Sequence, residues 1–151
     1  MDGLADLLPK DRSAIPADVL RAYRETDYRA GTGAAAIRLR IDERADALAR
    51  LYDTSGQRCA LFITACNPFG EPHGVHDNEA AHIRLRAVLD TLTEHVIEGA
   101  GAHPAGDWPE EKSFLALGID LDTARDLGRE FSQNAIVWAG HDLVPRLVLL
   151  R

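Results

Sequence analysis

The sequence predicts an α+β fold: a mixed sheet of about six strands, with two to three helices packed on it in two or three layers. Three observations carry this. Ile37, Leu39 and Ile41 alternate with Arg38 and Arg40, the period of a half-buried strand. Leu61, Phe62 and Ile63 form an apolar run, as a strand covered on both faces requires. Ala81, Leu85, Val88, Leu89 and Leu92 recur at three and four, the stripe of a packed helix.

The elements follow in order. Residues 1–12 are expected to form an arm and 13–151 a single domain, an ordinary size for one. Ser13 and Pro16 suit a helix start. Val19, Leu20 and Tyr23 form that helix's apolar side, and it ends near RETDYRAGTG, where Gly31 and Gly33 break the pattern. AAAIRLRI is a strand. DERADALARLYDTSGQ fits either a helical turn or the far end of a hairpin. RCALFITA is a central strand. Asp77 or Asn78 caps a helix over about residues 78–94, with His82, Arg86, Asp90 and Thr93 on its outer side. HVIEGAG is a strand, AHPAGDWPEEK a loop and SFLALGI a buried strand. Asp120 or Asp122 caps a helix through TARDLGREFSQ, with Ala124, Leu127 and Phe131 inward. NAIVWAG and PRLVLLR are the last strands, and Pro145 suits a strand start. The element order strand–helix–strand occurs twice, from LFITACNP to HVIEG and from FLALGID to NAIVWAG.

Charge narrows the function classes. A net charge of −7 opposes non-specific nucleic-acid binding, which needs phosphate neutralisation. Arg38, Arg40 and Arg44 read as a solvated face. MDGLADLLPKDR has no basic segment leading into an apolar run, so no signal peptide is expected. No apolar stretch is long enough for a membrane helix. Cys59 and Cys66 lie on or beside one strand, too far apart to bridge, so reduced thiols and a cytoplasmic location are the expectation.

Ligands of open α/β sheets gather beyond the carboxyl ends of strands. Three polar groups map to strand ends: Thr64, Cys66 and Asn67; Trp108, Glu110, Glu111 and Ser113; Arg129, Gln133 and Asn134. Asn67 before Pro68 either starts a turn or contacts a ligand. Gln133 and Asn134 lie between an apolar helix and an apolar strand; if buried, they need partners. Glu110 and Glu111 face opposite ways on extended chain, so at most one serves as general acid or base. Cys66 is a small core thiol before it is a nucleophile. His73, His76, Asp77 and His82 read as a polar surface loop rather than a metal site. No metal is expected, no cofactor is implied, and no phosphate-binding or nucleophile-elbow motif is present.

YRETDYRA, LFITACNP, WPEEKSFLALGI and ARDLGREFSQNAIVW, in that order, resemble a bacterial family of short proteins classed only as a domain of unknown function. The resemblance spans most of residues 20–150. It implies no activity or cofactor. Its matching polar positions are Tyr28, Thr64, Asn67, Glu110, Glu111, Ser113, Gln133 and Asn134. Two departures stand out: Cys66 replaces a large aromatic residue, and FGEPHGVHDNEAAH is atypical.

Two functional expectations follow. In the first, Tyr28, Thr64, Asn67, Trp108, Ser113, Gln133 and Asn134 line a pocket for a small polar metabolite or nucleotide, with Glu110 or Glu111 as acid or base. In the second, the chain is a non-catalytic module, and PRLVLLR is an open sheet edge that pairs with a protein partner or with a second copy as a homodimer.

Overall fold

The computed structural model describes residues 13–103, 105–106 and 110–151. The expected arm, residues 1–12, lies outside them. Helix α1 (Ala17–Glu25) leads into strands β1 (Asp27–Ala30) and β2 (Ile37–Leu39). Helix α2 (Asp46–Ser55) follows, then β3 (Ala60–Thr64), α3 (Val75–Leu92), β4 (Val96–Ala102), β5 (Glu111–Leu117), α4 (Leu121–Glu130), β6 (Ala135–Ala139) and β7 (Arg146–Leu149).

The strands form one sheet in the order β2-β1-β4-β5-β3-β6-β7. Every pairing is antiparallel. Among the described residues the sheet therefore has seven strands, not about six, is not mixed, and packs with four α-helices rather than two to three. The additional strand is β1, which the sequence hid as the tail of the first helix. It has four residues, and its buried first position is the charged Asp27, so it shows no apolar alternation.

Among the described residues no two strands pair in parallel, and the cause is topological. β3-α3-β4 and β5-α4-β6 are each a strand–helix–strand unit whose two strands run in the same direction. The units interleave, so β5 lies between β4 and β3, and β3 lies between β5 and β6. This is the split β-α-β arrangement. The doubled element order of the sequence is its signature.

Both sheet faces are covered. Leu61, Ile63, Phe114 and Ile136 pack beneath α3 and α4 through Leu85, Leu89, Ala124 and Leu127. Phe62, Leu115, Leu117 and Val137 occupy the other face, beneath Leu48 and Tyr52 of α2. The segment with two open readings is thus helical. It ends at Gly56, whose φ of 75° suits a glycine. Tyr52 satisfies its buried hydroxyl by donating to the Gly140 carbonyl at 2.9 Å.

Helix α3 corrects two expectations. It starts at Val75 behind Gly74, with no side-chain cap. Asn78 instead bonds back to the loop after β3, donating to the Asn67 side chain at 3.0 Å. His82 is buried, not on the outer side. Its ring stacks on Phe114 at 4.2 Å with planes 9° apart. An imidazole can lie flat on an aromatic face, so it substitutes for an apolar side chain there. In α4 the expected cap is present: Asp120 accepts from the Thr123 N–H at 2.8 Å.

Candidate functional site

Sheet register creates a recess. Gly99 of β4 pairs with Ser113 of β5, and Ser113 pairs with Thr64 of β3. Three small residues thus lie side by side on one face. Larger side chains flank this row: Tyr28 and Glu111 on either side of Gly101 in one direction, Phe62 and Leu115 in the other. Bulk at Gly99 is impossible without movement, because a Cβ there would lie 2.2 Å from the Arg29 carbonyl oxygen. Helix α1 spans this low ground and leaves a cavity of about 250 Å³ beneath it.

The cavity has an apolar wall and a polar end. Val19, Ala22, Phe62, Val137 and Leu147 supply the wall. Tyr23, Tyr28, Thr64, Glu111, Ser113 and Gln133 supply polar groups. Five of the predicted binding residues therefore converge, Asn67 included, and Glu111 joins them from the two candidate acids.

Asn67 is held by its own loop. Its backbone is left-handed, with φ 48° and ψ 65°. Its N–H donates to Asn78 Oδ1 at 2.9 Å. Its Oδ1 accepts from the His73 N–H at 2.9 Å and from Asn78 Nδ2 at 3.0 Å. The amide cannot flip without breaking both. Its NH₂ is therefore aimed at Glu111, donating to Oε2 at 2.8 Å. Burial pushes the Glu111 carboxyl above its ordinary value, and the Asn67 bond partly opposes this.

Gln133 donates to the carbonyls of Cys66 and Phe131, both at 3.2 Å. Asn134 stands behind the lining. It donates to the Tyr23 hydroxyl at 3.1 Å and accepts from Arg151 at 2.8 Å. Burial raises the Tyr23 phenol, the Asn134 bond opposes the rise, and the Glu111 charge adds to it.

The remaining candidates part from the site. Glu110 does not line the cavity; it is exposed, 3.9 Å from Arg29. Arg129 is also exposed, beside Asp126. Trp108 lies outside the described residues. Burial raises the Cys66 thiol, which donates to the Lys112 carbonyl at 3.7 Å, so it is not an activated thiolate. His73 and His76 are exposed while His82 is buried, and among the described residues no three potential ligands cluster for a metal.

The location also differs from expectation. The site is on a sheet face beneath α1, not beyond carboxyl ends. An antiparallel sheet has no common carboxyl edge, so the rule for parallel strands loses its basis. Tyr23 lines the cavity although the sequence reads it as one apolar position of α1. Its signal was its place in YRETDYRA, the motif that also holds Tyr28.

Residues 63–136 match a family model described as Protein of unknown function (DUF3293). No curated protein and no solved structure matches the chain. The matched stretch runs from β3 into β6, nearly the whole split β-α-β unit. It includes Thr64, Asn67, Glu111, Ser113 and Gln133. The roof of the cavity, Val19 to Tyr23, lies outside it.

Proposed function

We propose that the protein binds a small metabolite in the cavity between α1 and the sheet, with the polar head at Glu111 and the apolar body against Phe62 and Val137. The observation that carries this reading is the convergence of Tyr23, Asn67, Glu111 and Gln133 on one recess with an apolar wall. A few placed polar groups in an otherwise apolar concavity are what small-molecule sites use. A core needs neither a recess here nor a half-buried carboxylate, which costs free energy unless something uses it.

The volume favours a small ligand over a nucleotide, since about 250 Å³ is below the usual range for drug-sized ligands. Glu111 also disfavours a phosphate, by like-charge repulsion. The reading is one of binding; Glu111 is the one carboxylate among the described lining residues. A cytoplasmic setting agrees with two free cysteines. No helix among the described residues is long and apolar enough to cross a membrane.

The test is a thermal-shift screen of small metabolites on the wild type and on Ala22→Phe, which fills the recess without removing a polar group. A ligand at about 100 times its dissociation constant stabilises the fold by about 2.7 kcal/mol. Hits should disappear in Ala22→Phe. Hits that persist there place binding elsewhere and sink the reading.

The second reading, a sheet-edge module, is supported by β7 being an outermost strand. That strand is short, follows Pro145 and opens on exposed Arg146, features that blunt an edge. Under edge pairing, Leu149→Lys should lower the oligomeric mass in light scattering.

A further inference from the structure

The hydrogen bonds around the cavity say which ligand chemistry it accepts. A backbone carbonyl can only accept, so any hydroxyl or thiol bonded to one has spent its proton. Tyr28 donates to the Tyr23 carbonyl at 2.6 Å, and Thr26 to the Ala22 carbonyl at 2.7 Å. Thr64 donates to the Lys112 carbonyl at 2.8 Å, and Ser113 to the Glu111 carbonyl at 3.0 Å. The Cys66 thiol also points at the Lys112 carbonyl. Gln133 has used both amide protons on the carbonyls of Cys66 and Phe131. His103 accepts from the Ala105 N–H at Nδ1, so its Nε2 carries the proton and donates it to Glu25 at 3.2 Å.

What remains toward the recess is mostly acceptors. Glu111 is bound through Oε2, which leaves Oε1. Gln133 keeps its Oε1, and the oxygens of Tyr28 and Ser113 keep lone pairs. The side-chain donors left are the Tyr23 hydroxyl and the second Asn67 amide proton. An anionic head would meet a carboxylate and few donors. A cationic head with several N–H groups meets one charge and several acceptors.

We infer that the cavity selects small organic cations: a primary amine, amidine or guanidine on a compact apolar body, its N–H groups on Glu111 and Gln133 and its body on Phe62, Val137 and Leu147. This rests on the binding reading above and deepens it. Asn67 is a positioning residue in this account, because its locked amide turns one Glu111 oxygen away and leaves the other for the ligand.

The experiment uses three probes of one shape: 2-phenylethylamine, 2-phenylethanol and phenylacetate. Each is titrated by two-dimensional amide NMR into the wild type, Glu111→Gln and Ala22→Phe. The expected result is saturable shifts at Tyr28, Thr64 and Ser113 for the amine, weaker by about tenfold for the alcohol and for Glu111→Gln, and absent for phenylacetate and in Ala22→Phe. If phenylacetate binds as well as the amine, or if Glu111→Gln binds the amine unchanged, the cationic class is overturned while the cavity reading survives. If no probe shifts these residues, or if the shifts persist in Ala22→Phe, the cavity reading falls with it.

Discussion

Asn67 and Glu111, 44 residues apart, meet at 2.8 Å between an amide nitrogen and a carboxylate oxygen. The bond joins the loop after β3 to the first residue of β5. It also sets which face of each group looks into the cavity.

The Asn67 side chain makes three hydrogen bonds, and its backbone is left-handed. Asn67→Gly keeps the backbone conformation and loses the bonds, at a cost of about 2 kcal/mol. Asn67→Ala adds a left-handed penalty of about 1 kcal/mol. Urea melts of both variants separate the terms. Equal midpoints would show that the loop relaxes out of the left-handed region.

Glu111→Gln should stabilise the free protein at neutral pH, because burial disfavours the charged carboxylate. The folded carboxyl lies above its ordinary 4.5. Its contribution to stability is therefore full below 4.5 and is lost as pH rises through the folded value. Thermal melts across that window should converge for wild type and variant at the acid end. A variant less stable at pH 7 would give the carboxylate a fastening role.

His82 has the opposite slope. Burial on Phe114 lowers it below 6.5, with Glu79 and Glu98 opposing and Lys112 adding to the effect. Its Nδ1 has no hydrogen-bond partner among the described residues. The neutral ring's contribution is full above 6.5 and is lost as pH falls through the folded value. His82→Phe keeps an aromatic ring on Phe114 and removes the orphaned nitrogen. We expect it to match or exceed wild-type stability at pH 7 and to lose less on acidification to pH 5, as read by melting temperature.

Asp27 bridges two arginines that face each other across the strand pair. Arg29 and Arg38 are cross-strand partners on β1 and β2. Asp27 is buried beside both and accepts from Arg40 at 3.0 Å. Burial opposes its charge, but the three arginines hold the carboxyl below its ordinary value. Asp27→Ala should cost about 2 kcal/mol, less than a wholly buried pair, because Arg29 and Arg38 remain hydrated. The wild-type contribution is present above 3.8 and disappears as pH falls through the folded value. Hydrogen exchange of β1 and β2 should quicken in the variant, and exchange of β3 should not.

Local pattern was enough for α3, α4, β3, β6 and β7, because their apolar residues repeat at the period of the element that buries them. It was also enough to nominate Thr64, Asn67, Glu111, Ser113 and Gln133, since polar groups beside apolar strands need a reason. It failed for β1, whose four residues centre on a charge network formed with another strand. It failed for His82, whose burial depends on Phe114, 32 positions along the chain by their numbers. Sheet order and register were decided only in three dimensions. They place Gly99, Ser113 and Thr64 side by side and open a recess that no single segment encodes. Periodicity reports which side of an element is apolar; which elements become neighbours depends on pairing across long loops. The polar residues were therefore legible in the chain, and their convergence beneath Tyr23 was a product of the fold.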